Sequence, residues 1–258
     1  MTTAPRRPAN PVAVVTGGTR GIGRAVTLAA ARSGATVFAL HARNRQAADA
    51  LEAQAVGEGL DVRCLRGDLS REEAVAAAGA AVAAAADENG GRVHWLVHCA
   101  ATGVHRPVAE LTLKHLRFTL ETNVLAFHAL LVALLPRLAD GARVVALTSG
   151  GATRTAPQYA AVGASKGALD ALMRHWAVEL APRGVAANLV SPGLVETGAL
   201  DAFPDRDERL RRARASTPTG RLATAEEVAE TVLWLLRDAP ASLTGHTVVL
   251  DGGRGLAG

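Results

Sequence analysis

Short apolar runs alternate along the chain with longer stretches whose apolar residues recur every three to four positions. The runs are Val12 to Thr16, Ala35 to Leu40, Val62 to Arg66, Val93 to His98, Arg143 to Thr148, Val185 to Val190 and Thr247 to Leu250. Valine and leucine dominate them without strict polar alternation, the pattern of strands covered on both faces. The stretches between them predict helices at 21–33, 44–56, 71–87, 110–138, 158–181 and 224–237. Strand followed by helix, repeated through right-handed crossovers, builds a parallel sheet with helices on both sides. The expected fold is α/β: a Rossmann-type, doubly wound domain with a seven-stranded parallel sheet over residues 11–258, preceded by a disordered tail at 1–10.

Two segments stand out from this rhythm. Residues 74–86 are almost pure alanine, valine and glycine and read as a close-packed helix. The segment 194–222 is charged, holds glycine and proline, and follows neither period, so it is expected to be an irregular functional loop, a substrate lid.

Composition narrows the class. Hydrophobic residues make up 49% and charged ones 20% of 258 positions, which excludes a disordered chain. Charged residues, glycine or proline interrupt every apolar run before the roughly 18 residues of a membrane span, so no membrane is expected. Arg6 and Arg7 precede no apolar segment of an export signal, and a cytoplasmic enzyme is the expectation. Cys64 and Cys99 are too few and too far apart for a disulfide framework and read as buried thiols. The net charge of +4 is spread along the chain and aromatics are only 3%, so no nucleic-acid partner is expected.

Of 28 basic residues only Lys114 and Lys166 are lysines, and Tyr159 is the sole tyrosine. An ammonium is a compact, rotatable donor that a guanidinium does not replace, so a lysine kept in an arginine-rich chain calls for a chemical reason. Tyr159 and Lys166 stand seven apart in a helical pattern and share one face. A phenol with pKa of about 10 is a weak acid at neutral pH unless a nearby ammonium stabilises its phenolate. The pair therefore reads as a proton donor with its activator.

The first strand runs into Thr16-Gly17-Gly18-Thr19-Arg20-Gly21-Ile22-Gly23 and then into a helix, the context in which a glycine turn lets backbone approach a pyrophosphate. No acidic residue follows the second strand to receive a ribose 2′-hydroxyl. The chain there reads Leu40-His41-Ala42-Arg43-Asn44-Arg45, and these arginines with Arg20 suit a 2′-phosphate, hence NADPH. Asp68 after the third strand fits either an adenine amino group or the cap of the next helix.

The glycine turn, Asn123, Ser149, Tyr159 with Lys166, and Ser191-Pro192-Gly193 with Thr197 together resemble the short-chain dehydrogenase/reductase family, from about Pro11 to Gly255. The resemblance implies that the Ser149 and Tyr159 hydroxyls act on substrate, Lys166 holds the nicotinamide ribose, and Asn123 positions a proton-relay water. It implies cofactor contacts from Gly17, Thr19, Arg20, Gly21, Ile22, Gly23, His41, Ala42, Arg43, Asp68, Leu69, Ala100, Tyr159, Lys166, Pro192, Gly193, Val195 and Thr197. It also implies a homotetramer, or a homodimer, built on the helices near 110–138 and 158–181.

Two departures point further. The commonest members place tyrosine four residues before the lysine, where this chain has Val162, and their Asn-Asn-Ala-Gly is here His98-Cys99-Ala100-Ala101. Both features, with Phe203-Pro204, Thr217-Pro218-Thr219-Gly220-Arg221 and Asp251-Gly252-Gly253-Arg254, are similar to enoyl-acyl-carrier-protein reductase III. That resemblance implies NADPH-dependent reduction of the C2=C3 bond of an enoyl thioester, on coenzyme A or a carrier protein. A 3-oxoacyl or secondary-metabolite ketoreductase, and a non-catalytic dinucleotide sensor, are the alternatives.

Three patterns read as decoys. Gly163-Ala164-Ser165-Lys166-Gly167 matches a hydrolase nucleophile elbow, with Asp205 and His246 in order, but lies within a helical stretch. His94 and His98 sit on a strand, where four residues span roughly 13 Å, too far for one metal; His115, His128 and His175 lack a carboxylate cluster, and no catalytic metal is expected. Arg209, Arg211, Arg212 and Arg214 suit a pantetheine phosphate or an acidic carrier, but interleave with Asp205, Asp207 and Glu208 as on a solvated helix.

Overall fold

The computed structural model describes residues 10–69, 71–87, 91–198, 200 and 205–257. β1 (Val12–Thr16) leads to α1 (Gly21–Arg32), β2 (Thr36–His41) to α2 (Arg45–Gly57), and β3 (Val62–Arg66) to α3 (Glu72–Asp87). β4 (Val93–His98) leads to α4 (Leu113–Leu120), a π-helical turn (Glu121–Leu125) and α5 (Ala126–Leu134). β5 (Leu138–Leu147) precedes α6 (Ala160–Leu180), and β6 (Ala186–Pro192) precedes α7 (Arg206–Ala215) and α8 (Ala225–Arg237). β7 (Thr247–Leu250) completes the sheet.

The seven strands pair in parallel in the order β3-β2-β1-β4-β5-β6-β7. Alternate residues of each strand serve opposite layers, which explains the continuous apolar runs. Val12 and Val14 pack with Phe127, Leu130, Leu169 and Met173, whereas Ala13 and Val15 pack with Val26, Val232 and Leu235. The strand order reverses at β1 and β4, and the crevice beyond the carboxyl ends of strands at such a reversal is where ligands bind.

Three sequence expectations are corrected. The helix expected over 110–138 begins at Leu113 and is interrupted at Glu121–Leu125, where the Ala126 N–H reaches back five residues to the Glu121 carbonyl. Its expected last residue, Leu138, opens β5 beside Val93. The segment 194–222, expected to be an irregular loop, carries a helix, α7, whose sequence lacks an apolar stripe because it buries little beyond Leu210 and Ala213. Phe203, Pro204 and the tail expected to be disordered, apart from Asn10, lie outside the described residues.

The rod Leu113–Leu134 is 22 residues long and passes a length-and-hydropathy test for a membrane span. It carries Lys114, Arg117 and Glu121, and buries Phe127, Leu130, Leu131 and Leu134 against the sheet, which makes it a core helix of this fold.

Candidate active site

The β1–α1 turn needs its glycines for space as well as for backbone angle. Gly17 (φ 63°) and Gly21 (φ 52°) are left-handed. A Cβ on Gly17 would stand 2.8 Å from Ala100 Cα, and one on Gly23 would stand 2.1 Å from the Gly17 carbonyl oxygen. The turn is thereby pressed against the end of β4, and Thr197 closes over Gly21, 3.5 Å from where its Cβ would be. Among the described residues no side chain caps the start of α1, and its first turn holds no acid, which suits the approach of an anion to its N–H groups. His41 Nδ1, at the end of β2, is buried without a hydrogen-bond partner among the described residues. A narrow glycine turn, an uncapped helix start and an orphaned ring nitrogen fit a dinucleotide.

Leu69 and Val195 are core residues, and Ile22, partly buried, packs against the core. Thr19 and Pro192 are buried, while Arg20 and Ala42 are exposed. Asp68 lies 3.9 Å from Arg43, which is exposed.

Tyr159 is the N-cap of α6, just outside the helix in which the spacing placed it, and follows Gln158 in a left-handed conformation (φ 61°) that non-glycine residues seldom adopt. Its hydroxyl lies 3.3 Å from Ser149 Oγ. The phenol ring rests on Gly151, where a Cβ would be 2.4 Å from the ring. Val162, one turn along, is buried with a methyl where Gly103 would carry a side chain. The position that holds tyrosine in commoner family members is thus filled by packing.

Lys166 is buried, and its Nζ donates to the Leu147 carbonyl at 2.7 Å. Burial pulls its ammonium from 10.5 down to about 8. Beside it lies His98, fully buried and stacked on Phe127. The Ala100 N–H donates to Thr16 Oγ1, which lies 2.7 Å from His98 Nδ1. His98 Nε2–H then donates to the Asn123 carbonyl at 3.2 Å. Burial, reinforced by Lys166, pushes the pKa of the ring down to about 3, so the ring is neutral and its Nδ1 accepts from the Thr16 hydroxyl.

Asn123 itself sits in the π-helical turn. Its side chain pairs twice with the Thr102 backbone, each bond 2.8 Å, and donates to Ser165 Oγ at 2.9 Å. The relay role implied for Asn123 thus meets a competitor, since its carbonyl already accepts from His98 and its amide pins the loop after β4 to α6.

Ser165 is fully buried within α6 and donates to the Val162 carbonyl, which removes the nucleophile-elbow reading. His94 accepts from the Val12 N–H and His115 belongs to the cap of α4, so both have structural partners. Cys64 and Cys99 are half-buried rather than fully buried, and burial raises both thiols to about 12. Every arginine of α7 has an acidic partner, among them Arg214 to Glu196 at 2.8 Å and Arg211 to Glu208 at 2.7 Å.

Sequence reasoning passed over His105. Its ring lies 5.5 Å from that of Tyr159, and burial with the nearby Arg209 guanidinium lowers its pKa. The available signal was position: His105 is in the loop leaving a central strand's carboxyl end, where α/β folds place function.

Fold and site together define an oxidoreductase that binds a nicotinamide dinucleotide. A family model described as enoyl-(acyl carrier protein) reductase matches residues 17–254. The chain is 32% identical to 1-cyclohexenylcarbonyl-CoA reductase of Streptomyces collinus, over 94% of this chain and 86% of that protein. It is 34% identical to D-threitol dehydrogenase of Mycolicibacterium smegmatis, over 94% and 92%. A solved short-chain dehydrogenase/reductase from Serratia marcescens superposes with a TM-score of 0.88 at 28% identity, covering 96% of this chain and 99% of that one. This chain belongs to the short-chain dehydrogenase/reductase family.

Two predictions follow from the buried charges. His98 titrates near 6.5 when unfolded and at about 3 when folded, so its contribution to stability is complete above pH 6.5 and is lost as pH falls toward 3. Denaturant midpoints measured at pH 7 and pH 5 should fall less in His98→Asn than in the parent, by at most about 1.4 kcal/mol per pH unit for one proton. Lys166 has the same sign at higher pH: its burial penalty is complete below about pH 8 and is relieved as pH rises toward 10.5. Lys166→Met at pH 7 should therefore raise the melting temperature by a few degrees while activity is lost; a lower melting temperature contradicts the buried charge.

Proposed function

We propose that this enzyme uses NADPH to reduce the C2=C3 double bond of an enoyl thioester. The observation that carries the reading is the tyrosine placed at the N-cap of α6, its hydroxyl beside Ser149, with Val162 filling the commoner position. In ketone reduction hydride and proton go to the two ends of one C=O bond. In conjugate reduction hydride goes to the β-carbon while charge develops on the thioester oxygen, several bonds away. Tyrosine set back three residues is displaced by about 4.5 Å along the helix, the scale of that separation. The name of the Streptomyces collinus relative, a reductase of a conjugated cyclohexenyl thioester, supports the same chemistry.

Bound NADPH would supply the hydride. The Tyr159 hydroxyl hydrogen-bonds the thioester oxygen as enolate charge develops, Ser149 places a second hydroxyl there, and the α-carbon of the enolate then takes its proton from water, which completes the saturated thioester. Lys166, buried with its ammonium on the Leu147 carbonyl, would hold the nicotinamide ribose. Asn123 keeps the loop after β4 in place. Arg20 and Arg43, both exposed at the ends of the glycine turn and of β2, would meet a 2′-phosphate there, and the missing acid after β2 supports the same preference for NADPH.

The second reading is a ketoreductase or alcohol dehydrogenase, which the similarity to D-threitol dehydrogenase favours. A homotetramer or homodimer is part of our reading: Leu125, Val132 and Val178 are large apolar side chains exposed on the helices it would use. The thioester carrier is left as coenzyme A or a carrier protein, because the arginines of α7 are engaged with carboxylates.

Crotonyl and acetoacetyl thioesters, each on coenzyme A and on a carrier protein, should separate the readings when NADPH consumption is followed. Crotonyl turnover is expected, falling about 100-fold or more in Tyr159→Phe with NADPH affinity unchanged. Turnover of acetoacetyl alone overturns the assignment. Replacing Arg20 and Arg43 by alanine should raise the KM for NADPH about tenfold with little change for NADH, and an unchanged NADPH to NADH preference contradicts the phosphate site.

A further inference from the structure

Both reactive hydroxyls stand at the ends of one loop: Ser149 opens it and Tyr159 closes it. Its first turn is held by backbone bonds from the Ala152 N–H to the Ser149 carbonyl and from the Arg154 N–H to the Gly150 carbonyl. At mid-loop, Arg154 folds its guanidinium over Gly150, so closely that a Cβ there would lie 2.6 Å from Nη2. The same Nη2 reaches the Asp251 carboxylate at 3.3 Å.

Asp251 is the first residue after β7, and its side chain is only 8% exposed. One carboxylate oxygen accepts from the Gly253 N–H at 3.0 Å, and the other accepts from the Gly255 N–H at 2.8 Å as well as from Arg154. The left-handed glycines Gly252 (φ 63°) and Gly253 (φ 85°) curl the tail around that carboxylate. The tail touches two further segments. A Cβ on Gly193 would lie 3.2 Å from Asp251 Cα, so Asp251 is packed on the Pro192–Gly193 turn, whose Gly193 N–H also binds the Leu250 carbonyl. The Gly252 carbonyl accepts from the Thr219 N–H at 3.3 Å, and a Cβ on Gly252 would collide with Thr217 and Thr219 at the end of the lid segment.

We propose that Arg154 and Asp251 are positioning residues: their ion pair fixes the loop that carries Ser149 and Tyr159 in register with the Pro192–Gly193 turn and the end of the lid. The pair borders a cavity of about 750 Å³ that Thr148, Ser149 and His246 also line, so side-chain packing does not fill this corner and charge and hydrogen bonds hold it. A buried carboxylate with two N–H donors and one guanidinium is a fixed anchor, whereas an isosteric amide accepts through one oxygen only and turns an NH2 toward the other donors. Displacing such an anchor moves hydroxyl and cofactor turn relative to each other, and misplacements of about 1 Å cost up to about 100-fold in rate.

The proposal rests on the reading of Ser149, Tyr159 and the Pro192–Gly193 turn given above. Its test uses Arg154→Met, Arg154→Lys, Asp251→Asn and the double variant R154M/D251N in the full chain. Four quantities are read: NADPH affinity by fluorescence, kcat and KM with whichever thioester the parent turns over, and the melting temperature. Arg154→Met should lower kcat about tenfold and weaken NADPH binding several-fold, with KM for the thioester and the melting temperature little changed. Arg154→Lys should restore most of both, and the double variant should be no worse than Asp251→Asn alone. Values of kcat and NADPH affinity in Arg154→Met within about twofold of the parent, or losses that multiply in the double variant, overturn the proposal. If the parent turns over no thioester, the NADPH arm still decides the role of the pair, and only the assigned reaction falls.

Discussion

A buried ammonium is the constraint around which this site is organised. Lys166 sits on α6 beneath the ends of the central strands, out of water, with the Leu147 carbonyl as its hydrogen-bond acceptor. Removing a cation from water is costly, and here the cost appears as the pull of its pKa to about 8. Everything adjacent must then tolerate a positive charge without adding another. His98 does so by staying neutral, and its two ring nitrogens are committed to the Thr16 hydroxyl and the Asn123 carbonyl. One ring therefore ties together the end of β1, the end of β4 and the π-helical turn.

Close backbone approach supplies the second organising element. Gly17 against Ala100, Gly23 against Gly17, Gly103 against Val162 and Gly151 against the Tyr159 ring are contacts in which a methyl group has no room. They press the glycine turn, the loop after β4 and the loop after β5 onto α1 and α6. The tyrosine is consequently located by the contact of its ring with Gly151 and by the left-handed Gln158, at the cap of α6 and not within it. The same kind of packing links the C-terminal turn to the Pro192–Gly193 turn, so the site is held from the sheet side as well as from the helices.

Much of this was legible in the chain. The strands were readable because a parallel sheet covered on both faces demands continuous apolar runs, and the glycine turn because its place between strand and helix is a local property. Tyr159 with Lys166 was readable because the composition had removed nearly every other tyrosine and lysine. The interruption at Glu121–Leu125 was not readable: it inserts a residue without changing the apolar period enough to mark the break. Nor was α7, which buries two residues and is held by ion pairs to Glu196, Asp205 and Glu208.

What the sequence determined by itself is whatever depends on neighbours along the chain: the order of elements, the dinucleotide turn, the displaced tyrosine and the missing acid after β2. What only the tertiary structure decided depends on residues distant in sequence meeting at the carboxyl edge of the sheet. The contact of His105 with Tyr159, the bond of His98 to Asn123 and the pairing of Arg154 with Asp251 span 54, 25 and 97 positions. The physical reason is that a charge or a ring nitrogen carries no mark of its partner until burial removes water as the alternative, and burial is a property of the assembled fold.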